Sequence, residues 1–218
     1  MLQVENLSFS YPERPIFQDL TFSAEMGSST AILGSSGSGK TTLFQLLSGV
    51  LSPDKGAIKL EGKEGFEGFQ KITYMMQKDL LLPWKNVYEN ILLLASLGLK
   101  KVVKEEVMGY LKQVGLLESA HLYPHQLSTG MRQRVSLARA LMLKRPFLFL
   151  DEPFSSVDLR QKKDLYALVL EAKNRFGFTL FLITHDFEEA YALCDRVLFL
   201  KEGGLRLAPP KNEWLGAL

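Results

Sequence analysis

The run Gly34-Ser35-Ser36-Gly37-Ser38-Gly39-Lys40-Thr41 holds the pattern G-x-x-x-x-G-K-[ST] at every fixed position. That spacing suits a loop that wraps its backbone N–H groups around a polyphosphate. Gly34, Gly37 and Gly39 permit positive φ and close approach to an anion. Lys40 carries a charge that reaches β- and γ-phosphates, and Thr41 offers a hydroxyl to Mg²⁺. Ser35, Ser36, Ser38 and Thr42 complete the candidate phosphate contacts. The flanks agree with this chemistry. Ser29–Leu33 reads as a buried strand, and Leu43, Leu46 and Leu47 recur at helical spacing. A helix placed there aims its positive end at the loop.

A second chemical feature is Phe147-Leu148-Phe149-Leu150-Asp151-Glu152, a hydrophobic strand ending in two carboxylates. Ligands of open α/β sheets lie beyond the carboxyl ends of strands. There Asp151 can hold Mg²⁺, and Glu152 can orient or deprotonate a water. Alone, the pair is equally compatible with an ordinary turn; a phosphate loop in the same chain favours the metal reading. Ile183-Thr184-His185-Asp186 puts a histidine at another strand end, either as a γ-phosphate donor or as a surface residue. His121 and His125 have no such context and read as structural.

The elements that must position these groups alternate. The first 25 residues read as strand, Pro-rich loop over Ser10–Pro15, and strand. Strands are expected at Ala57–Leu60 and Ile72–Met76, with a turn at Ser52–Gly56 between them and the first helix. Residues 86–144 read differently, as helices at 86–97, 102–114 and 130–144 with no strand. Then strands at Phe147–Leu150, Thr179–Ile183 and Arg196–Leu200 alternate with helices at 160–175 and 187–194, and Leu205–Leu207 follows a Gly203-Gly204 turn. The expectation is an α/β chain with a mostly parallel sheet, an N-terminal antiparallel β subdomain and an inserted helical subdomain.

Composition narrows the classes. The 218 residues suit one domain spanning 1–218, with 1–85 and 145–218 as the α/β core and 86–144 as the helical subdomain. Hydrophobic residues make up 46%, enough for a large core. With 26 basic and 24 acidic residues, the charge balance argues against a nucleic-acid partner. The single cysteine, Cys194, gives no disulfide framework and reads as apolar filling. The start Met1–Glu5 lacks signal-peptide character, and Ile91–Leu99 falls short of the ~20 apolar residues of a membrane helix. A cytoplasmic protein is expected, reaching a membrane only through a partner.

Between the two chemical sites lies Leu127-Ser128-Thr129-Gly130-Met131-Arg132-Gln133-Arg134-Val135. It resembles the signature segment of the ATP-binding cassette (ABC) ATPases, usually Leu-Ser-Gly-Gly-Gln. With it, the motifs stand in that family's order from about Leu2 to Leu207, and the resemblance implies the P-loop NTPase fold of that family. It also implies roles. Tyr11, otherwise a packing residue, matches the aromatic that stacks on adenine. Gln77, otherwise solvated, matches the glutamine that touches Mg²⁺ and the attacking water. Asp151 matches the metal-site aspartate, Glu152 the catalytic base and His185 the γ-phosphate switch. Ser155-Ser156-Val157-Asp158 matches the segment that crosses a dimer interface. Ser128 and Gly130 match the residues that meet the ATP of a second ATPase subunit, here expected to be a second copy. Thr129 and Met131 depart from the family pattern, adding a β-branched side chain and removing an amide.

The resemblance further implies an ATPase that powers transport with ATP and Mg²⁺, working with transmembrane permease subunits on the inner face of the cell membrane. Leu81-Leu82-Pro83-Trp84 and Thr184-His185-Asp186 with Glu188-Glu189-Ala190 are similar to the importer group for nitrate, sulfonates, taurine and pyrimidine precursors. That group adds a solute-binding protein as an indirect partner. No C-terminal regulatory domain is expected. The alternatives are the ATPase of an exporter or lipid-extracting complex, and a module that binds nucleotide without turnover.

Overall fold

Alternation of apolar and polar side chains sets the first two strands of this computed structural model, which describes residues 1–97 and 103–208. β1 (Leu2–Tyr11) and β2 (Arg14–Ala24) form a hairpin whose turn is Pro12-Glu13, with Glu13 at φ 63°. The expected loop over Ser10–Pro15 is therefore mostly strand. Pro15 is tolerated because β2 lies at a sheet edge. β3 (Ser29–Leu33) is buried throughout and leads through the phosphate loop into α1 (Lys40–Leu47). The helix starts at Lys40, ahead of the apolar repeat that opens at Leu43, because Gly39 adopts φ 103° and turns the chain there.

β4 (Lys55–Leu60) and β5 (Lys63–Glu64) join through Glu61 at φ 51° and Gly62 at φ 73°, a pair of left-handed residues suited to a tight hairpin. α2 (Gly65–Phe69) and β6 (Ile72–Met75) follow. Next come α3 (Val87–Leu97), α4 (Lys104–Gln113), 3-10 turns at Leu117–Ser119 and Pro124–Gln126, and α5 (Thr129–Met142). Among the described residues no strand interrupts them, as expected. The expected starting point of the second helix, Val102, and the end of the Ile91–Leu99 apolar stretch lie outside the described residues. β7 (Phe147–Asp151), α6 (Leu159–Phe176), β8 (Thr179–Ile183), α7 (Phe187–Leu193), β9 (Arg196–Lys201) and β10 (Gly204–Leu207) complete the order.

Two sheets result. One is antiparallel, in the order β2-β1-β4-β5; the other runs β10-β9-β3-β8-β7-β6. In the second, β9, β3, β8, β7 and β6 are parallel and only β10 is antiparallel. Its central strands β3, β7 and β8 are buried on both faces, and their residues divide by parity. Ile32, Phe149, Phe181 and Ile183 join Leu43, Phe44 and Leu47 of α1 and the inner face of the antiparallel sheet. Leu33, Leu148, Leu150, Leu180 and Leu182 face α5, α6 and α7, a core that continues into α3 and α4. Each fully buried side chain of this kind contributes about 1.5–3 kcal/mol, so α1 is clamped between sheets by Leu43, Phe44, Leu46 and Leu47. The parallel arrangement brings the carboxyl ends of β3, β6, β7 and β8 to one edge. Among the described residues no helix is long and apolar enough to cross a membrane.

Candidate functional site

The phosphate loop is shaped by what glycine lacks. A Cβ on Gly34 would lie 2.7 Å from the Leu200 carbonyl oxygen, and one on Gly39 would lie 2.8 Å from Cγ2 of Ile16. The loop apex is tied down by Arg14, whose guanidinium donates to the Gly37 carbonyl at 3.1 Å. Lys40 folds back into the loop and donates to the carbonyls of Gly34 (2.8 Å) and Ser35 (2.9 Å). Burial pushes its pKa down, against the opposing pull of Glu152 and Asp151. Ser38 Oγ is buried beside it with no hydrogen-bond partner. An orphan hydroxyl and an ammonium held only by carbonyls suit a ligand that brings acceptor oxygens.

At the end of β7, Asp151 is almost wholly buried. Thr41 Oγ1 donates to its Oδ2 at 3.0 Å and the Tyr74 hydroxyl donates to the same oxygen at 3.2 Å. Burial raises the Asp151 pKa, while these two donors lower it. Burial also pushes the Tyr74 hydroxyl up, so it stays protonated as a donor. Tyr74→Phe is expected to lower stability by about 1.5–3 kcal/mol, the worth of a hydrogen bond to a charged acceptor. Urea denaturation of the variant measures this, with an unchanged midpoint counting against the bond.

Glu152 follows with φ 48°, the left-handed region, which is costly for a residue with a side chain. Its N–H donates to the Ile183 carbonyl at 2.9 Å, and its carbonyl accepts from Gln133 Nε2 at 2.9 Å. Its carboxylate accepts from Gln77 Nε2 at 3.0 Å and lies 3.7 Å from His185 Nδ1. Gln77 comes from the loop after β6, His185 from the loop after β8. Behind His185, Asp186 caps α7 by accepting from the N–H groups of Glu188 and Glu189.

One cavity of about 380 Å³ is lined by Tyr11, Gly34, Ser36, Gly37, Gly39, Lys40, Thr41, Thr42, Gln77, Glu152 and His185. Asp151 does not line it, but lies directly behind Thr41, which does. Ser35 and Ser38 face the adjoining cavity with Arg14. Tyr11 is half exposed with its ring edge-on to Phe9, centroids 5.0 Å apart, which leaves a ring face for a ligand. Ser128, Gly130 and Asp158 do not line this cavity. Ser128 caps α5, its Oγ accepting from Met131 N at 3.2 Å. A Cβ on Gly130 would lie 2.6 Å from the Ser156 carbonyl, so glycine is required there by packing alone. Asp158 stands exposed just before α6 and makes no side-chain cap.

Tyr74, Arg14 and Gln133 are contacts that sequence reasoning does not find. Tyr74 reads as one more apolar residue of a buried strand. Gln133 lies inside the signature segment, but its partners are set by tertiary packing.

Comparison with known proteins fits this geometry. The family model described as "ABC transporter" matches residues 17–155. The aliphatic sulfonates import ATP-binding protein of Paraburkholderia xenovorans is 39% identical over 96% of this chain and 60% of its own length. That of Cupriavidus pinatubonensis is 38% identical over 99% of this chain and 72% of its own length. The chain thus spans 60% of the length of the first of these relatives. An ATP-binding cassette solved as a dimer in a post-hydrolysis state, bound to ADP and Pi, superposes with a TM-score of 0.86 at 24% identity, over 94% of this chain and 97% of that one. Phosphate loop, acidic strand end and signature helix fall in one fold and one family model, and the chain belongs to the ABC transporter family.

Proposed function

We propose that this chain is an ATP-hydrolysing subunit that energises a membrane transporter, an importer of a small solute. The observation that carries the reading is the convergence of Lys40, Thr41, Gln77, Glu152 and His185, from four strand ends, on one cavity. Backbone N–H groups of Gly37–Thr42 and the Lys40 ammonium hold the β- and γ-phosphates, and the open face of Tyr11 stacks on adenine. Glu152 takes the proton of the attacking water, with Gln77 fixing its Oε2. His185 donates to the γ-phosphate.

The donor set also fits Mg²⁺. Thr41 and Tyr74 both address Oδ2 of Asp151, and the carboxylate is buried with its pKa raised, a charge that a divalent cation would offset. Thr41, Asp151 and Gln77 would hold the ion, which supplies charge neutralisation for the phosphates when bound.

Residues 86–144 act as an inserted helical subdomain of a single ATPase unit. Ser128, Gly130 and Asp158, remote from the chain's own cavity, serve a second copy. Permease subunits place the chain at the inner face of the cell membrane and, with a solute-binding protein, choose the cargo. The two relatives named for aliphatic sulfonate import favour an oxyanion-bearing organic solute of that group. Phosphate release from ATP by the purified protein, alone and with its permease partners, tests the reading; ATP binding without any release in either state would refute it.

Lys40→Ala is expected to weaken ATP binding by about 1.5–3 kcal/mol, roughly 10- to 150-fold in Kd, because charged hydrogen bonds to the phosphates are lost. Titration with a fluorescent ATP analogue reads this, and a wild-type Kd would remove Lys40 from the site.

A further inference from the structure

Glu152 has a backbone conformation that must be held in place. A non-glycine residue at φ 48° persists only where its surroundings over-determine it. The peptide on its N-terminal side is fixed by the sheet, through its N–H on the Ile183 carbonyl at 2.9 Å. On its C-terminal side the Glu152 carbonyl accepts from Gln133 Nε2 at 2.9 Å, the shortest of its bonds, and from the Ser155 hydroxyl and N–H at 3.2 and 3.3 Å. Gln133 is the one donor that comes from outside this turn. With both flanking peptides pinned, the Cα–Cβ direction of Glu152 is set, and the carboxylate meets Gln77 at the cavity.

Gln133 spends its whole amide on this segment. Its Nε2 also donates to Ser155 Oγ at 2.9 Å, and its Oε1 accepts from the Ser156 N–H at 2.9 Å. The Gln133 side chain is buried. One turn earlier, Gly130 lets α5 lie directly on the Ser156 carbonyl. The same helix also holds the other loop. Arg132 Nε donates to Asp79 Oδ2 at 3.0 Å, and Arg139 and Ser136 donate to the Asp79 carbonyl at 2.6 and 3.2 Å. Asp79 lies just beyond Gln77. α5 therefore fastens Glu152 and the loop just beyond Gln77, the two segments whose side chains meet at the Gln77–Glu152 hydrogen bond.

We propose that Gln133 is a positioning residue for Glu152: its amide fixes the Glu152 carbonyl, and so ties the aim of the catalytic carboxylate to the placement of α5. This rests on reading Glu152 as the proton acceptor for water. The consequence is that movement of α5, whose N-terminus carries Ser128, is passed to Glu152 without any contact between Gln133 and nucleotide.

The test uses the full protein with Gln133→Leu, which removes all three bonds at similar volume, and Gln133→Glu, which keeps an acceptor for Ser156 N–H but loses the donor to Glu152. Ser155 and Ser156 are exposed, so water can reach the freed groups and the fold survives. A misplacement of about 1 Å costs up to roughly 100-fold in rate, so kcat should fall by about 10- to 100-fold in both variants while ATP Kd stays within about twofold. Amide exchange should quicken at residues 152–156 of Gln133→Leu and stay unchanged at 34–41. Turnover near the parent's in Gln133→Glu would overturn the role of the Glu152 bond. Loss of ATP binding together with faster exchange across the chain would also overturn it, marking Gln133 as a general packing residue. A parent protein that releases no phosphate would instead sink the reading of Glu152 as proton acceptor. The exchange measurement then decides the positional claim, and unchanged exchange at 152–156 overturns it.

Discussion

Glu152→Gln is expected to cut kcat for ATP hydrolysis by about 10²–10⁴-fold, the usual worth of a positioned general base. The substitution removes the charge that accepts a proton and keeps the shape. The substituted side chain can turn its amide oxygen toward Gln77 Nε2, preserving the 3.0 Å hydrogen bond. The backbone bonds to Ile183 and Gln133 do not involve the carboxylate and survive. The φ of 48° costs glutamine no more than glutamate. ATP should therefore bind with a Kd within about twofold of the parent, since Lys40 and the loop amides are untouched. Single-turnover phosphate release and ATP titration on the same preparation give both quantities. A variant that turns over at the parent rate would leave His185 or Gln77 to organise the water.

The chemical edge of this site is legible in the sequence because it consists of contiguous runs. Gly34–Thr41 and Asp151-Glu152 carry their chemistry in their own residue types, and a buried strand before each is readable from apolar runs. The fold's layering is legible for the same reason: strands such as Phe147–Asp151 and Thr179–Ile183 are apolar almost throughout, as strands covered on both faces must be. What escapes is pairwise. Lys63-Glu64 forms a strand only because Lys59 and Leu60 lie opposite it, and Gly65–Phe69, with two glycines, has no helical period to read. Tyr74 meets Asp151 because β6 and β7 are neighbours, an adjacency across 77 residues of sequence separation. Gln133 and Arg132 sit one residue apart yet serve opposite loops, since successive helix positions face different sides. At the start of α5, Ser128 Oγ takes the N–H of Met131. Capping is local, but whether a cap faces inward to its own helix or outward to a ligand depends on what approaches it.

A second nucleotide-bound copy approaching that cap is expected to produce the other large effect. Glu152→Gln with ATP is expected to form a dimer holding two ATP molecules, and adding Ser128→Arg is expected to abolish it. Lys40 and the cavity it lines lie on one part of the chain, while Ser128 and Gly130 lie outside that cavity. Ser128 and Thr129 are exposed at the start of a helix of 14 residues, with the positive end of that helix facing outward. A two-fold arrangement makes the contacts reciprocal, each ATP lying between the phosphate loop of one copy and the α5 start of the other. Blocking hydrolysis would keep the γ-phosphate expected to bridge the two. Arginine at position 128 puts a long side chain into the closest approach and removes the cap, at a cost of about 0.5–2 kcal/mol to α5, which its buried face from Val135 to Met142 withstands. Because Ser128 does not line the chain's own cavity, ATP binding to the monomer should change by less than about twofold. Sedimentation of both variants with and without ATP reads the assembly. The expected pattern is dimer only for Glu152→Gln with ATP; a dimer that tolerates Ser128→Arg would refute the shared site, and one that forms without ATP would remove nucleotide from the interface.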